Sequence, residues 1–212
     1  MLCIAIMSAL FNGACSSSER PLLPSASNDD DVINVVAIGD ESSLSFRDGI
    51  TVTTSWPQIF FREAVPRSAT FVNLATPRAS INEARKRQTS VLASTHPTLV
   101  TIMVGYHDVG RSSGEIATDI RRLLDDVERA GAEEAFIAVV PRTRPELATV
   151  SDVIAVLPAR HKSLTITLVD LRKLPITYLS GDREQFVPDV ASQRVIANAF
   201  VAAYQRRAAL TQ

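Results

Sequence analysis

Two short strings in this chain combine side chains capable of chemistry with a backbone signal that would bring them to one edge of a sheet. The first is Gly39-Asp40-Glu41-Ser42-Ser43, which follows the apolar run Val35-Val36-Ala37-Ile38. The second is Gly105-Tyr106-His107-Asp108, which follows the run from Leu99 to Val104. Both runs are short and rich in β-branched residues, as expected of parallel strands covered on both faces. In such sheets ligands bind outside the carboxyl ends of the strands. His107 could act there as a base, as a donor to an oxyanion or as a metal ligand, with Asp40, Glu41 and Asp108 near it in the fold. Ser42 or Ser43 could serve as a nucleophile beside His107, but a position past the turn points its side chain elsewhere.

For these strings to meet, strands and helices must alternate along the chain, and they do. After the strand ending at Gly39, Trp56 to Ala64 reads as a short helix with Trp56, Ile59 and Phe60 inward, and Thr70 to Leu74 as a second strand. Ser80 caps a helix reaching about Ser94, whose Glu83 to Arg87 segment forms a solvated face. Pro97 precedes the third strand. Ile116, Ile120, Leu123, Leu124 and Val127 recur at helical spacing, so Gly114 to Arg129 is an amphipathic helix ended by Gly131. Ala135 to Val140 is the fourth strand, broken off by Pro141-Arg-Thr-Arg-Pro145. Val150, Val153, Ile154 and Leu157 mark a further helix, Leu164 to Val169 a fifth strand, and Leu171 to Pro188 an irregular loop. Ser192, Ile196, Ala199, Phe200 and Ala203 stripe a closing helix. Five strands alternating with helices predict a three-layer α/β/α sandwich around a parallel sheet. Arg142 and Arg144 border the expected crevice and could meet an anionic ligand, but a solvated loop is the simpler account. His96 and His161 read as ordinary edge residues.

A chain of 212 residues suits one domain with a full core. Its 46% hydrophobic and 21% charged content excludes a disordered or polytopic membrane protein. A net charge of −1 provides no basic footprint, so nucleic acid is not expected as a partner. Cys3 and Cys15 both precede residue 16, which leaves the domain no disulfide and no cysteine metal site. The apolar run from Leu2 to Phe11 is too short to span a bilayer and is placed like an export signal. Gly13-Ala14-Cys15 at its end resembles a bacterial lipobox, which implies lipid attachment at Cys15. Residues 1–15 are then a lipoprotein-type signal, the Ser/Pro/Asp-rich residues 16–31 a disordered tether, and residues 32–212 the domain. The implied location is export, as a membrane-anchored lipoprotein or a secreted or periplasmic protein.

Four segments, in order, resemble the sequence blocks of the SGNH (GDSL-type) hydrolases. They are Val35 to Glu41, Val72-Asn-Leu-Ala-Thr-Pro-Arg78, Pro97 to Asp108 with its Gly105-x-x-Asp108 ending, and Glu184-Gln-Phe-Val-Pro188 through Ala197. The resemblance implies a flavodoxin-like three-layer fold with a five-stranded parallel sheet and an ancestry among esterases, lipases and acylhydrolases. That family uses a serine nucleophile after Gly-Asp, a glycine amide and an asparagine side chain as oxyanion donors, and a histidine three residues after an aspartate. Here the serine position holds Glu41, the glycine position Arg78, the asparagine position His107, the aspartate position Glu184 and the histidine position Val187. A carboxylate at 41 cannot form a seryl acyl-enzyme, and Val187 supplies no base. No catalytic residue of the standard set is present, no cofactor or metal is called for, and the candidate pocket comprises Asp40, Glu41, Ser42, Arg78, Gly105, His107 and Asp108. Glu41 and Arg78 are expected to form an ion pair there. The expected function is that of an exported, catalytically degenerate member that binds an unknown small molecule or protein. An ester hydrolase with a rebuilt site is the alternative, and a metal-assisted hydrolase around His107 the second.

Overall fold

A computed structural model describes residues 32–44, 49–142, 145–179 and 186–210. Cys15, Arg144 and Glu184 lie outside the described residues, as do the signal and tether segments.

Strands form where apolar, β-branched residues run without a helical period. They are β1 (Asn34–Gly39), β2 (Thr70–Asn73), β3 (Leu99–Met103), β4 (Glu134–Val139), β5 (Arg160–His161) and β6 (Leu164–Asp170). They lie side by side in the order β2-β1-β3-β4-β6-β5. Every pairing is parallel except that of β5 with β6. The sheet thus has six strands where five were expected. The extra strand has only two residues, too few to show a period in sequence. It turns back onto β6 through Lys162, whose φ of 53° permits the tight reversal.

Among the described residues five α-helices cover the sheet: α1 (Trp56–Ala64), α2 (Ile81–Leu92), α3 (Ser113–Arg129), α4 (Ala148–Ala155) and α5 (Val190–Ala209). α1 packs on α5, while α3 packs between α2 and α4, giving the two outer layers. α2 and α3 each begin with a capping box, Ser80 with Glu83 and Ser112 with Glu115, which satisfies backbone donors that the first turn leaves unpaired. β3 is buried along its whole length and β1 and β4 at every residue but the first, and Trp56 of α1 stacks on Phe200 of α5 with ring centroids 4.3 Å apart. That packing holds the α1–α5 layer against the sheet.

Candidate functional site

β1 and β3 are neighbours, and the chain leaves β1 toward β2 on one side and β3 toward β4 on the other. Their carboxyl ends therefore flank the point where the strand order reverses, the place where doubly wound sheets leave a crevice. β1 stops at Gly39 because nothing larger fits: a Cβ there would stand 2.3 Å from Ser43 Oγ and 3.1 Å from the Met103 carbonyl oxygen. The chain then makes one 3-10 turn, Glu41–Ser43, capped by Asp40. Asp40 Oδ1 accepts from the Ser42 amide at 2.9 Å and from Ser42 Oγ at 2.6 Å, while Asp40 Oδ2 has no hydrogen-bond partner among the described residues.

Two glutamines that sequence reasoning passed over hold this turn. Gln88 of α2 accepts from the Gly39 amide at 2.9 Å and donates to the Gly39 carbonyl at 2.8 Å. Gln193 of α5 accepts from the Trp56 amide at 2.8 Å and donates to the carbonyls of Pro188 at 3.3 Å and Ser42 at 3.4 Å. The available signal was their place on the inward stripes of α2 and α5, where an uncharged amide is unexpected unless it has partners.

Glu41 lies at the centre of the crevice with 7% of its surface exposed. Its Oε1 stands 2.7 Å from His107 Nε2, and its Oε2 accepts from the Arg78 backbone amide at 2.7 Å. The expected ion pair between Glu41 and the Arg78 guanidinium is thus replaced by a Glu41–His107 pair. The reason is backbone geometry. Arg78 sits in the left-handed region with φ of 58°, a conformation that glycine adopts readily, and it turns its N–H toward Glu41. His107 is held by the turn after β3, with Phe186 edge-on to its ring at 5.7 Å between centroids.

Burial pushes the Asp40 carboxyl up to about 7, helped by the adjacent Glu41 charge and opposed by the Ser42 hydrogen bonds. For Glu41, burial works against the charge, but the His107 and Arg78 hydrogen bonds outweigh it and the carboxyl titrates below its ordinary value. Burial also disfavours the charged His107 ring, yet the Glu41 hydrogen bond and the charges of Glu41 and Asp40 raise its pKa. Both shifts favour imidazolium against carboxylate in the pair, and Asp40, with its pKa near 7, still holds part of its proton near neutrality.

The structure brings Asp40, Glu41 and His107 together and turns Asp108 away from them. Asp108 Oδ2 accepts from the Ile81 amide at the start of α2 at 2.8 Å, and Oδ1 pairs with Arg111 at 2.6 Å. Asp108 ties a loop to a helix. Gly105, with φ of 113°, makes the turn that delivers His107. Ser42 Oγ is fully buried and donates to Asp40, while His107 Nε2 is engaged by Glu41, so no serine hydroxyl shares that nitrogen among the described residues. Val187 is 3% exposed, and its carbonyl accepts from the Leu179 amide at 2.9 Å. Arg142 is exposed and pairs with Asp152 of α4.

No family model matches the sequence, and no curated protein matches it. Solved structures do match. TesA superposes with a TM-score of 0.64 at 17% identity, covering 82% of this chain and 98% of that one. A lipolytic protein of the G-D-S-L family from Veillonella parvula gives 0.65 at 14% identity, with 82% and 100% covered. The psychrotrophic esterase EstA from Pseudoalteromonas sp. gives 0.64 at 14%, with 82% and 97% covered. This chain has the SGNH hydrolase fold. The turn after β1 presents a carboxylate held by an amide and a ring.

Proposed function

We propose that this chain is an exported member of the SGNH hydrolase family that binds a small molecule or protein without hydrolysing esters, its reaction site closed by its own Glu41. The observation that supports it most is the pair of contacts Glu41 makes. Residues 78 and 107 occupy the positions from which the family's oxyanion donors come. The Arg78 amide and the His107 ring each reach one oxygen of the Glu41 carboxylate. An internal anion at that place excludes the oxyanion that a substrate carbonyl would develop, and donors already engaged cannot stabilise a new charge. The serine nucleophile and the histidine base are absent from their positions as well, and loss of any one of a triad costs several orders of magnitude in rate.

Short-chain aryl esters offered to the purified full chain should turn over no faster than with a heat-killed control. Glu41→Ser alone should restore nothing, because Val187 supplies no base. Turnover that disappears in Ser42→Ala would overturn this and favour an ester hydrolase with a rebuilt site.

A further inference from the structure

We propose that Asp40, Glu41 and His107 form a binding site for a borderline divalent cation of the zinc type. Each offers one ligand atom, and the three atoms lie within 4.8 Å of one another. Edges of a tetrahedral zinc site with N and O ligands are about 3.4 Å, from bond lengths of about 2.0 to 2.2 Å. The 2.7 Å edge between Glu41 Oε1 and His107 Nε2 must open, and an edge to Asp40 as long as the 4.8 Å limit must close, each by less than about 1.5 Å, which side-chain torsions can supply.

A second, independent feature points to a ligand. Asp40 is fully buried, its Oδ1 is fixed by two Ser42 donors, and its Oδ2 has no hydrogen-bond partner among the described residues. A buried carboxylate oxygen with nothing to accept from carries a desolvation cost that a cation would remove. Outer contacts suited to a metal site are already in place. Ser42 orients Asp40, and the Arg78 amide orients Glu41 through the oxygen not facing His107. The ion would replace the proton shared between Glu41 and His107 and leave the Arg78 contact intact. Two carboxylates and one imidazole make a three-ligand N/O set of the kind zinc takes, with a water completing the coordination. The Arg78 charge opposes a cation, whereas two buried carboxylates favour one.

A comparable cluster between α3 and β5 lacks these features. Asp125, Glu128 and His161 also bring ligand atoms together, but Lys162 Nζ stands 2.6 Å from Asp125 and 3.7 Å from Glu128, so an ammonium already holds that place. Its carboxylates are only partly buried. It serves as the internal control.

The probe is Co2+, followed by Zn2+, titrated into the full chain carrying Cys3→Ser and Cys15→Ser so that no thiol competes. One equivalent of Co2+ should produce the strong visible bands of a four-coordinate N/O site, and Zn2+ should abolish them. His107→Ala and Glu41→Gln should each weaken Co2+ binding by about 100-fold or more, and His161→Ala should leave it unchanged. His107→Gln, which keeps the side chain's bulk, replaces the alanine variant if the latter does not fold. No saturable band, a band that survives in the His107 variants, or one lost with His161→Ala would overturn the assignment.

Discussion

At the scale of single residues, the crevice is governed by Glu41, whose two oxygens meet an imidazole and an amide inside a poorly solvated turn. Removing either member of a buried pair leaves its partner's charge uncompensated, so the double change should hurt less than the sum of the two single changes. In chelator-treated protein, a cycle of Glu41→Gln and His107→Gln read by denaturant melts should show coupling of about 0.5 to 3 kcal/mol at about pH 6. The pH dependence has a definite sign. Glu41, lowered from 4.5, contributes stability that is complete above 4.5 and lost as pH falls through its folded value. His107, raised from 6.5, contributes stability that is complete below 6.5 and lost as pH rises through its folded value. Asp40, raised from 3.8 to about 7, acts in the same sense as His107, so stability should decline as pH rises through neutrality. Coupling that is as large at about pH 9 as at about pH 6 would mean the ring is paired in its neutral form.

Elements matter through the turns that end β1 and β3. Gly105 combines φ of 113° with a close approach to α4, where a Cβ would stand 2.5 Å from Val150 Cγ1. Side chains rarely adopt that conformation, and Val150 is fully buried with little room to retreat. Gly105→Ala should therefore destabilise the fold by about 2 to 4 kcal/mol, seen as a lower urea midpoint at an unchanged slope. A loss under about 0.5 kcal/mol would show that α4 shifts freely away from the turn. Gln88 and Gln193 do comparable work from the two helical layers, since Gln88 binds both backbone groups of Gly39 and Gln193 binds the Ser42 carbonyl.

For the whole molecule, the proposed export and anchoring rest on Gly13-Ala14-Cys15 and the polar segment after it. Among the described residues no helix is long and apolar enough to cross a membrane. Supplied with a functional upstream start in a bacterial host, the chain should take up labelled fatty acid, and Cys15→Ser should not. Equal labelling of the two would remove Cys15 as the anchor.

The sequence by itself determined the layered architecture, because alternating apolar runs and helical stripes are local signals that need no partner to be read. β1, β3, β4 and β6 lie within a residue of their expected bounds, and α1 spans Trp56–Ala64 as expected. It did not reveal β5, whose two residues pair only because β6 already offers an edge. Which side chains meet in the crevice was decided by tertiary structure alone. Opposite charges suggested Glu41 with Arg78, and the left-handed backbone at Arg78 offered Glu41 an amide instead. Asp108 read as a pocket residue until the start of α2 claimed its carboxylate. Charge and spacing name the groups that could interact, but the direction of each side chain follows from backbone torsions and packing set by the assembled sheet and helices.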